Sequence, residues 1–191
     1  MESREQSPAS RRIRIDLTDL VNAFDSGSEE VAAYLDVDTG EVVWVTSEVR
    51  RELERIDQDI GEDLVDDEAR QAAIAAAAVE RGLPAWMIEP LEEADRVEAG
   101  FGARFIRVPR PEPHESYEDI EAFIDTVRNA GLREQLWIAV RGRGAFRRFK
   151  DVLADHPVER ERWFAFKAER VRERVLEWLA EEGIEPTREP D

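Results

Sequence analysis

Residues 34–45, with the sequence YLDVDTGEVVWV, constrain the fold of this chain more than any other segment. Two runs rich in β-branched and aromatic residues flank Asp38-Thr39-Gly40, and glycine in such a turn supplies the positive φ that a tight hairpin requires. The segment therefore predicts a β-hairpin. An isolated two-stranded hairpin is marginally stable in water, so we expect at least one further strand. Residues 104–108 (RFIRV) are the predicted third strand, which Pro109 and Pro111 would end.

The rest of the chain is predicted to be helical. Apolar residues recur every three or four positions in several segments, which is typical of amphipathic helices. Predicted helix starts are Asp16, Thr46 or Ser47, Asp66 or Asp67, Ser116 with Asp119 three residues later, and Pro157. Gly82 and Gly183 are predicted helix ends, and a proline lies shortly beyond each, at Pro84 and Pro186.

These elements predict an α+β, mostly helical protein, in which a small antiparallel sheet (the hairpin plus one strand) accompanies a C-terminal helical bundle. Residues 13–183 are expected to form a single α+β domain, because a chain of 191 residues favours one core. Within it, residues 13–109 form the hairpin-containing half and residues 114–183 the all-helical half. Residues 1–12 are predicted to be a disordered tail and residues 184–191 a second tail.

The composition disfavours several chemistries. Cysteine is absent, which removes disulfides, thiolate nucleophiles and cysteine-bound zinc. The histidines are His114 and His156, and neither has a second histidine at ligand spacing. Asp36 begins a pattern that imitates a calcium loop, but Glu41 and Ser47 stand where that loop needs glycine and glutamate. We therefore expect no metal, no cofactor and no catalytic residue with a recognisable signature.

No apolar run approaches the ~20 residues of a bilayer span, and residues 1–16 lack the apolar core of a secretion signal. The sequence therefore predicts a cytoplasmic protein with no membrane contact. Its formal net charge of −18 repels the phosphate backbone, so nonspecific nucleic-acid binding is disfavoured.

Residues 141–150 (RGRGAFRRFK) depart from this acidic background, because they carry five basic residues and no acid. A glycine-flanked loop that enters a helix directs backbone amides and the positive end of the helix dipole toward one place, where an anion is favoured. The predicted anion- or partner-binding residues are Arg141, Arg143, Gly144, Arg147, Arg148 and Lys150. The alternative is that these cations pair with acidic residues of the chain itself, such as those of the last helix.

Aromatic residues near this segment are predicted to be core. Phe146 and Phe149 lie three positions apart on one helical face, and Leu153 extends that face by a turn. In the last helix, Trp163, Phe164 and Phe166 cannot all point the same way. At least one of the three is expected to leave the core stripe and to pack under a loop or form a partner interface.

Four segments together resemble the bacterial uncharacterised protein family 0158: YLDVDTGEVVWV, FIRVPRPEPHESYEDIEAFI, GRGAFRRFKDVL and WFAFKAERVRERVLEWLAEEGIEP. The resemblance runs from about residue 12 to residue 186. It implies one conserved unit and carries no activity, substrate or catalytic residue.

Three functions remain open. The first is a non-enzymatic interaction or regulatory protein that contacts an unidentified protein partner or anionic ligand through residues 141–150. The second is an enzyme acting on a phosphorylated or otherwise anionic small molecule, positioned by Arg143, Arg147 and Arg148. The third is an acidic mimic of nucleic acid that binds a basic partner. The missing nucleophile and metal signatures favour the first over the second, and the basic segment counts against the third.

Overall fold

The computed structural model describes residues 11–26, 28–60 and 66–187. The chain divides into two compact units: one comprises the residues up to Pro109 together with those from Gly183 onward, and the other comprises Arg110–Glu182. The division falls between the predicted halves, 13–109 and 114–183. That these halves form a single domain remains a prediction.

The described residues form five strands and eight helices, which confirms the predicted α+β, mostly helical fold class. None of these helices is both long and apolar enough to cross a bilayer. In chain order the elements are β1 (Arg11–Arg14), α1 (Leu17–Asp25), β2 (Val31–Asp36), β3 (Val42–Thr46), α2 (Ser47–Ile60), α3 (Asp67–Glu80), a 3-10 turn (Ala85–Met87), α4 (Ile88–Ala99), β4 (Phe105–Arg107), α5 (Pro113–Thr126), α6 (Ala130–Ala139), α7 (Ala145–Ala154), α8 (Pro157–Glu181) and β5 (Ile184–Thr187).

The three-stranded sheet of the first unit confirms the predicted hairpin and its third strand. Its order is β3-β2-β4, and both pairings are antiparallel. Tyr34 of β2 lies opposite Val43 on one side and Arg107 on the other. Strand β2 begins at Val31, three residues before the predicted start. The two alanines that follow Val31 have a low strand propensity, so the sequence did not indicate a strand there, and pairing with β3 places them in the sheet.

The hairpin turn requires glycine for two reasons. Gly40 has a φ of +79°, which residues with a Cβ rarely adopt. A Cβ at this position would also lie 1.8 Å from the carbonyl oxygen of Arg14, so the turn packs directly against the backbone at the end of β1.

Helices α2, α3 and α4 form the core of the first unit against the face of the sheet that carries Tyr34. Leu53, Ile56, Ile74 and Leu91 in these helices are fully buried. The predicted caps are present: Asp66 accepts from the Ala69 amide at 3.2 Å, and Thr46 Oγ1 accepts from the Val49 amide at 3.1 Å.

Both ends of the described chain differ from the predicted tails. Strand β1 pairs in parallel with β5, and the register places Arg11 opposite Ile184 and Ile13 opposite Pro186. Ile13, Ile15 and Ile184 are each 6% exposed. The tail predictions are therefore wrong for residues 11–12 and 184–187, because apolar burial and pairing between distant segments order short strands that have no local signal. Residues 1–10 and 188–191 of the predicted tails lie outside the described residues.

Helices α5 to α8 make up the second unit, and its core is aromatic. Phe123, Phe149 and Trp163 meet edge to face, with ring centroids 5.0 to 6.1 Å apart. Phe166 stacks on Trp163 at 6.3 Å, whereas Phe164 is 58% exposed. The prediction that one of the three α8 aromatics leaves the core stripe is confirmed.

Helix α5 begins before its predicted start. It opens at Pro113, where the Glu115 carboxylate accepts a hydrogen bond from the Glu112 amide at 2.8 Å. The start predicted at Ser116 with Asp119 is therefore wrong. A proline at the first helical position already has a helical φ, and Glu112 is the N-cap, whose amide donates to Glu115 at the third helical position.

Asp119 instead accepts a buried set of charge-assisted hydrogen bonds. Its side chain is almost fully buried and accepts from Arg174 at 2.6 and 2.9 Å and from Arg170 at 3.1 Å. These bonds join α5 to α8 and raise the pKa of Arg170 above its ordinary value, chiefly through its hydrogen bond to Asp119. Asp119, which was predicted to be part of the helix start, therefore forms a tertiary contact between α5 and α8.

Candidate functional site

Residues 141–150 form the loop between α6 and α7 together with the first half of α7. Helix α6 ends at Ala139, and Gly142 and Gly144 then adopt φ values of +78° and +76°. Gly144 is the cap of α7 and has no side chain, so the first amides of this helix are not capped by it. The predicted geometry, a glycine-flanked loop entering a helix, is present.

Arg148 is exposed like the other cations of the segment, but its side chain folds back onto the loop. Its guanidinium donates to the carbonyl oxygen of Ala139 at 2.9 Å, to that of Arg141 at 2.6 Å and to that of Arg143. These acceptors include carbonyls that the end of α6 leaves without helical partners. Arg148 therefore closes the loop structurally, and its predicted role as an anion contact conflicts with a guanidinium that already has several acceptors.

Replacing Arg148 with alanine should destabilise the second unit. Removing the guanidinium leaves several carbonyl oxygens with fewer donors, and hydrogen bonds to a charged group contribute about 1.5–3 kcal/mol. Because Arg148 is itself exposed and water can replace part of these bonds, we expect the free energy of unfolding to fall by about 1 kcal/mol in urea denaturation. Arg143→Ala is the matched control, and its stability should stay within about 0.5 kcal/mol of the parent, because its exposed side chain forms no hydrogen bond within the described residues. Equal losses in both variants would contradict this assignment.

The other cations of the segment face solvent. Arg141, Arg143 and Lys150 are exposed, and no hydrogen bond or ion pair of their side chains is found among residues 11–26, 28–60 and 66–187. Arg147 lies 3.8 Å from Asp151, but the two side chains are 89% and 69% exposed, and such pairs contribute little. Of the alternative, pairing with acidic residues of the chain itself, the described residues show the exposed Arg147–Asp151 pair and no ion pair between these cations and the last helix.

Phe146 corrects the predicted core stripe. It is 42% exposed, whereas Phe149 is 1% and Leu153 is 1% exposed. The buried stripe of α7 is centred on Phe149, with Ala145 and Leu153 one turn away on either side. Phe146 projects ~60° from that centre on a helix with 3.6 residues per turn, and it lies in the first turn. The prediction that Phe146 is core is therefore wrong, and its ring reaches the surface among the exposed cations.

The remaining residues singled out from the sequence have ordinary structural roles. His114 is exposed, with Nδ1 3.1 Å from a carboxylate oxygen of Glu112. Asp36 in the hairpin is buried and accepts from Arg104 at 2.6 and 3.0 Å. Burial by itself raises the pKa of Asp36, but hydrogen bonds from Arg104 and from the Asp38 amide hold that pKa below its ordinary value.

Two further buried carboxylates were missed by the sequence interpretation. Asp95 accepts from Arg70 at 2.7 Å and from Gln71 at 3.0 Å, and Asp119 accepts from α8 as described above. Each partner lies more than twenty residues away along the chain. No spacing rule connects such pairs, so a sequence with 45 acidic residues does not reveal which of them are buried.

The comparisons with known proteins bear on the residues that contain this segment. A sequence model described as an uncharacterised protein family (UPF0158) matches residues 87–191. The match covers all of the second unit, including residues 141–150, and more than half of the chain. It begins later than the resemblance expected from residue 12, and it does not include the hairpin.

Curated relatives carry the same family name. A "UPF0158 protein" of Chlamydia trachomatis serovar D and another of Chlamydia muridarum are each 30% identical to this chain over 77 residues. The aligned part is 40% of this chain but 23% of each relative, so the chain matches under a quarter of the length of these proteins. No solved structure matches significantly. On the strength of the family match over residues 87–191, the chain belongs to the uncharacterised protein family UPF0158.

Proposed function

We propose that this protein is a non-enzymatic, cytoplasmic interaction or regulatory protein that binds an acidic segment of a partner protein through one surface of α7 and the loop before it. This contact surface consists of the side chains of Arg141, Arg143, Phe146, Arg147 and Lys150. Arg148 and Gly144 set the conformation of the loop, Arg148 by its hydrogen bonds to backbone carbonyls and Gly144 by its positive φ.

The observation that carries the proposal is the position of Phe146. A phenylalanine that is 42% exposed lies within a segment whose solvent-facing charged side chains are all basic. Burying that ring would contribute free energy in an interface, and aromatic residues and arginine are the types enriched in interface centres. The sequence neighbours of the ring add specificity for an acidic partner, because each exposed guanidinium can donate to a carboxylate.

The charge distribution supports the same partner. A surface of net charge −18 repels acidic proteins in general, so an acidic partner is attracted only near the local basic segment. Electrostatic complementarity of this kind mainly sets orientation and association rate. We therefore expect binding to weaken as salt shortens the Debye length.

The two alternatives have less support. For an enzyme acting on an anionic small molecule, one of the three proposed positioning residues, Arg148, is already bonded to backbone carbonyls. For a nucleic-acid mimic, the exposed arginines would repel the basic partner. Each alternative nevertheless predicts its own outcome in the experiment that follows.

The experiment compares partner capture by four forms of the full chain at low and high salt. They are the parent, Arg143→Glu with Arg147→Glu, Phe146→Ala, and a control with Arg128→Glu and Arg160→Glu. The control has the same change in charge at exposed arginines outside the segment. We expect one acidic partner to be lost from the first two variants, retained by the control, and released by salt.

Other results would contradict the proposal in distinguishable ways. If all four forms retained the same proteins, the proposed contact surface would not be the binding site. A basic partner that the charge reversals hold more tightly would indicate the mimic. A rise in the melting temperature of the parent with phosphate or nucleotide, absent from the Arg143/Arg147 variant, would indicate the anion-binding enzyme.

A further inference from the structure

A cavity of about 380 Å³ opens in the first unit between the sheet and helices α2 and α4. Strands β2 and β4 supply Tyr34 and Arg107, which are direct cross-strand neighbours. Helix α2 supplies Arg50, and α4 supplies Glu98. A volume of ~300–1,000 Å³ with a few convergent polar groups is typical of small-molecule sites.

One wall of this cavity is apolar. Val45, Ala94 and Val97 line it and are themselves almost fully buried. Phe101 also lines it but is 59% exposed, and its ring meets that of Tyr34 edge to face at 6.1 Å. The exposed ring of Phe101 therefore offers the apolar surface of the cavity on which the body of a ligand can pack.

Two arginines of the cavity have donors to spare. Arg50 is half-buried and donates to the Tyr34 hydroxyl at 2.5 Å, and Arg107 is exposed. Neither forms an ion pair with any carboxylate in the described parts of the chain. Arg70 and Arg104, in the same unit, are each paired with a buried carboxylate, Asp95 at 2.7 Å and Asp36 at 2.6 Å. The guanidinium groups at the cavity are therefore open to an external acceptor.

Glu98 does not neutralise these cations through a direct pair among the described residues. Burial raises the pKa of Glu98, and neighbouring carboxylates raise it further, whereas the charge of Arg50 opposes the rise. The carboxylates are Asp57, Asp95 and Glu54. Glu98 is exposed at the cavity, so its carboxylate lies where it can oppose a bound anion, and Glu98→Gln tests its contribution.

We propose that this cavity binds a small organic carboxylate with an apolar body, of the arylacetate or branched-chain acid class. The carboxylate accepts hydrogen bonds from Arg50 and Arg107, and the apolar body packs against the exposed ring of Phe101. The site is independent of the contact surface on α7, so either can fail without the other.

The first test uses the full chain, labelled with ¹⁵N, in an NMR titration at low ionic strength. The probes are phenylacetate, 4-methylpentanoate, uncharged phenylacetamide and inorganic phosphate. We expect saturable shifts around the cavity with at least one of the two carboxylates. Phenylacetamide lacks the charge and phosphate lacks the apolar body, so both should bind about tenfold more weakly or not at all. No saturation by either carboxylate, or equal binding of phosphate, would overturn the proposal.

The second test assigns the contacts through variants whose folding is checked by circular dichroism. Arg107→Gln and Arg50→Gln should each weaken carboxylate binding about tenfold, since each removes a charge-assisted donor. Arg51→Gln, on the exposed side of the same helix, is the matched control and should bind like the parent. Glu98→Gln should tighten binding because it removes a negative charge near the ligand. An equal loss in the Arg51 variant, or weaker binding after Glu98→Gln, would overturn the proposed occupant.

Discussion

Replacing Phe149 with alanine is expected to lower the free energy of unfolding by about 3–5 kcal/mol, as for other fully buried phenylalanines. Phe149 is 1% exposed, and its ring meets Phe123 at 6.1 Å and Trp163 at 5.0 Å. The substitution removes these edge-to-face contacts and leaves a cavity between helices α5, α7 and α8. Urea denaturation followed by tryptophan fluorescence would report the change.

Phe146→Ala is the matched control for this substitution, because both positions carry the same residue type on the same helix. Phe146 is 42% exposed, so its removal should cost well under half as much. The expected difference between the two variants would be contradicted if they lost equal stability, or if Phe149→Ala unfolded at the same urea concentration as the parent. Either result would mean that α7 turns a different face toward the core.

Replacing Asp119 with alanine is expected to cost about 3–5 kcal/mol, which is the usual cost of removing one partner from a buried ion pair. The Asp119 side chain is almost fully buried, and it accepts from both Arg170 and Arg174. The Arg174 side chain is 19% exposed, so its guanidinium would lose its principal acceptor without regaining full hydration.

Asp151→Ala provides the comparison for Asp119. The Asp151 carboxylate lies 3.8 Å from Arg147, with both side chains largely exposed, so its removal should cost about 0–1 kcal/mol. Chemical denaturation of the two variants under one set of conditions measures both values. A loss for Asp119→Ala no larger than that for Asp151→Ala would show that the buried carboxylate does not hold α5 and α8 together.

The sequence predicted those elements whose signals are local. The hairpin followed from a turn whose glycine must take a positive φ, and the last helix followed from Pro157 at its start and Gly183 after its end. By contrast, β1 and β5 lie at opposite ends of the described chain and contain four residues each. Strands this short have no periodicity to read, and their pairing depends on contacts that only the folded chain brings together.

The candidate site was predictable in position but not in the role of each residue. The glycines and the run of basic residues identified the loop and the helix start. Their arrangement did not show that Arg148 folds back. The acceptors of Arg148 are backbone carbonyls, which every residue has, so the sequence does not mark them as partners of an arginine. Phe146 was misplaced because it lies at the edge of the α7 stripe, where a spacing of three residues does not separate buried from exposed.

Site-specific photo-crosslinking tests whether the α7 surface is a protein contact. A photoreactive phenylalanine analogue would replace Phe146 in the full chain in cells, with the same analogue at Phe164 as the control. Both positions are exposed, at 42% and 58%, so access to solvent does not distinguish them. The contact surface predicts a discrete adduct with an acidic protein from position 146, diminished by Arg143→Glu with Arg147→Glu and absent from position 164. No adduct at 146, or the same adducts at both positions, would contradict it.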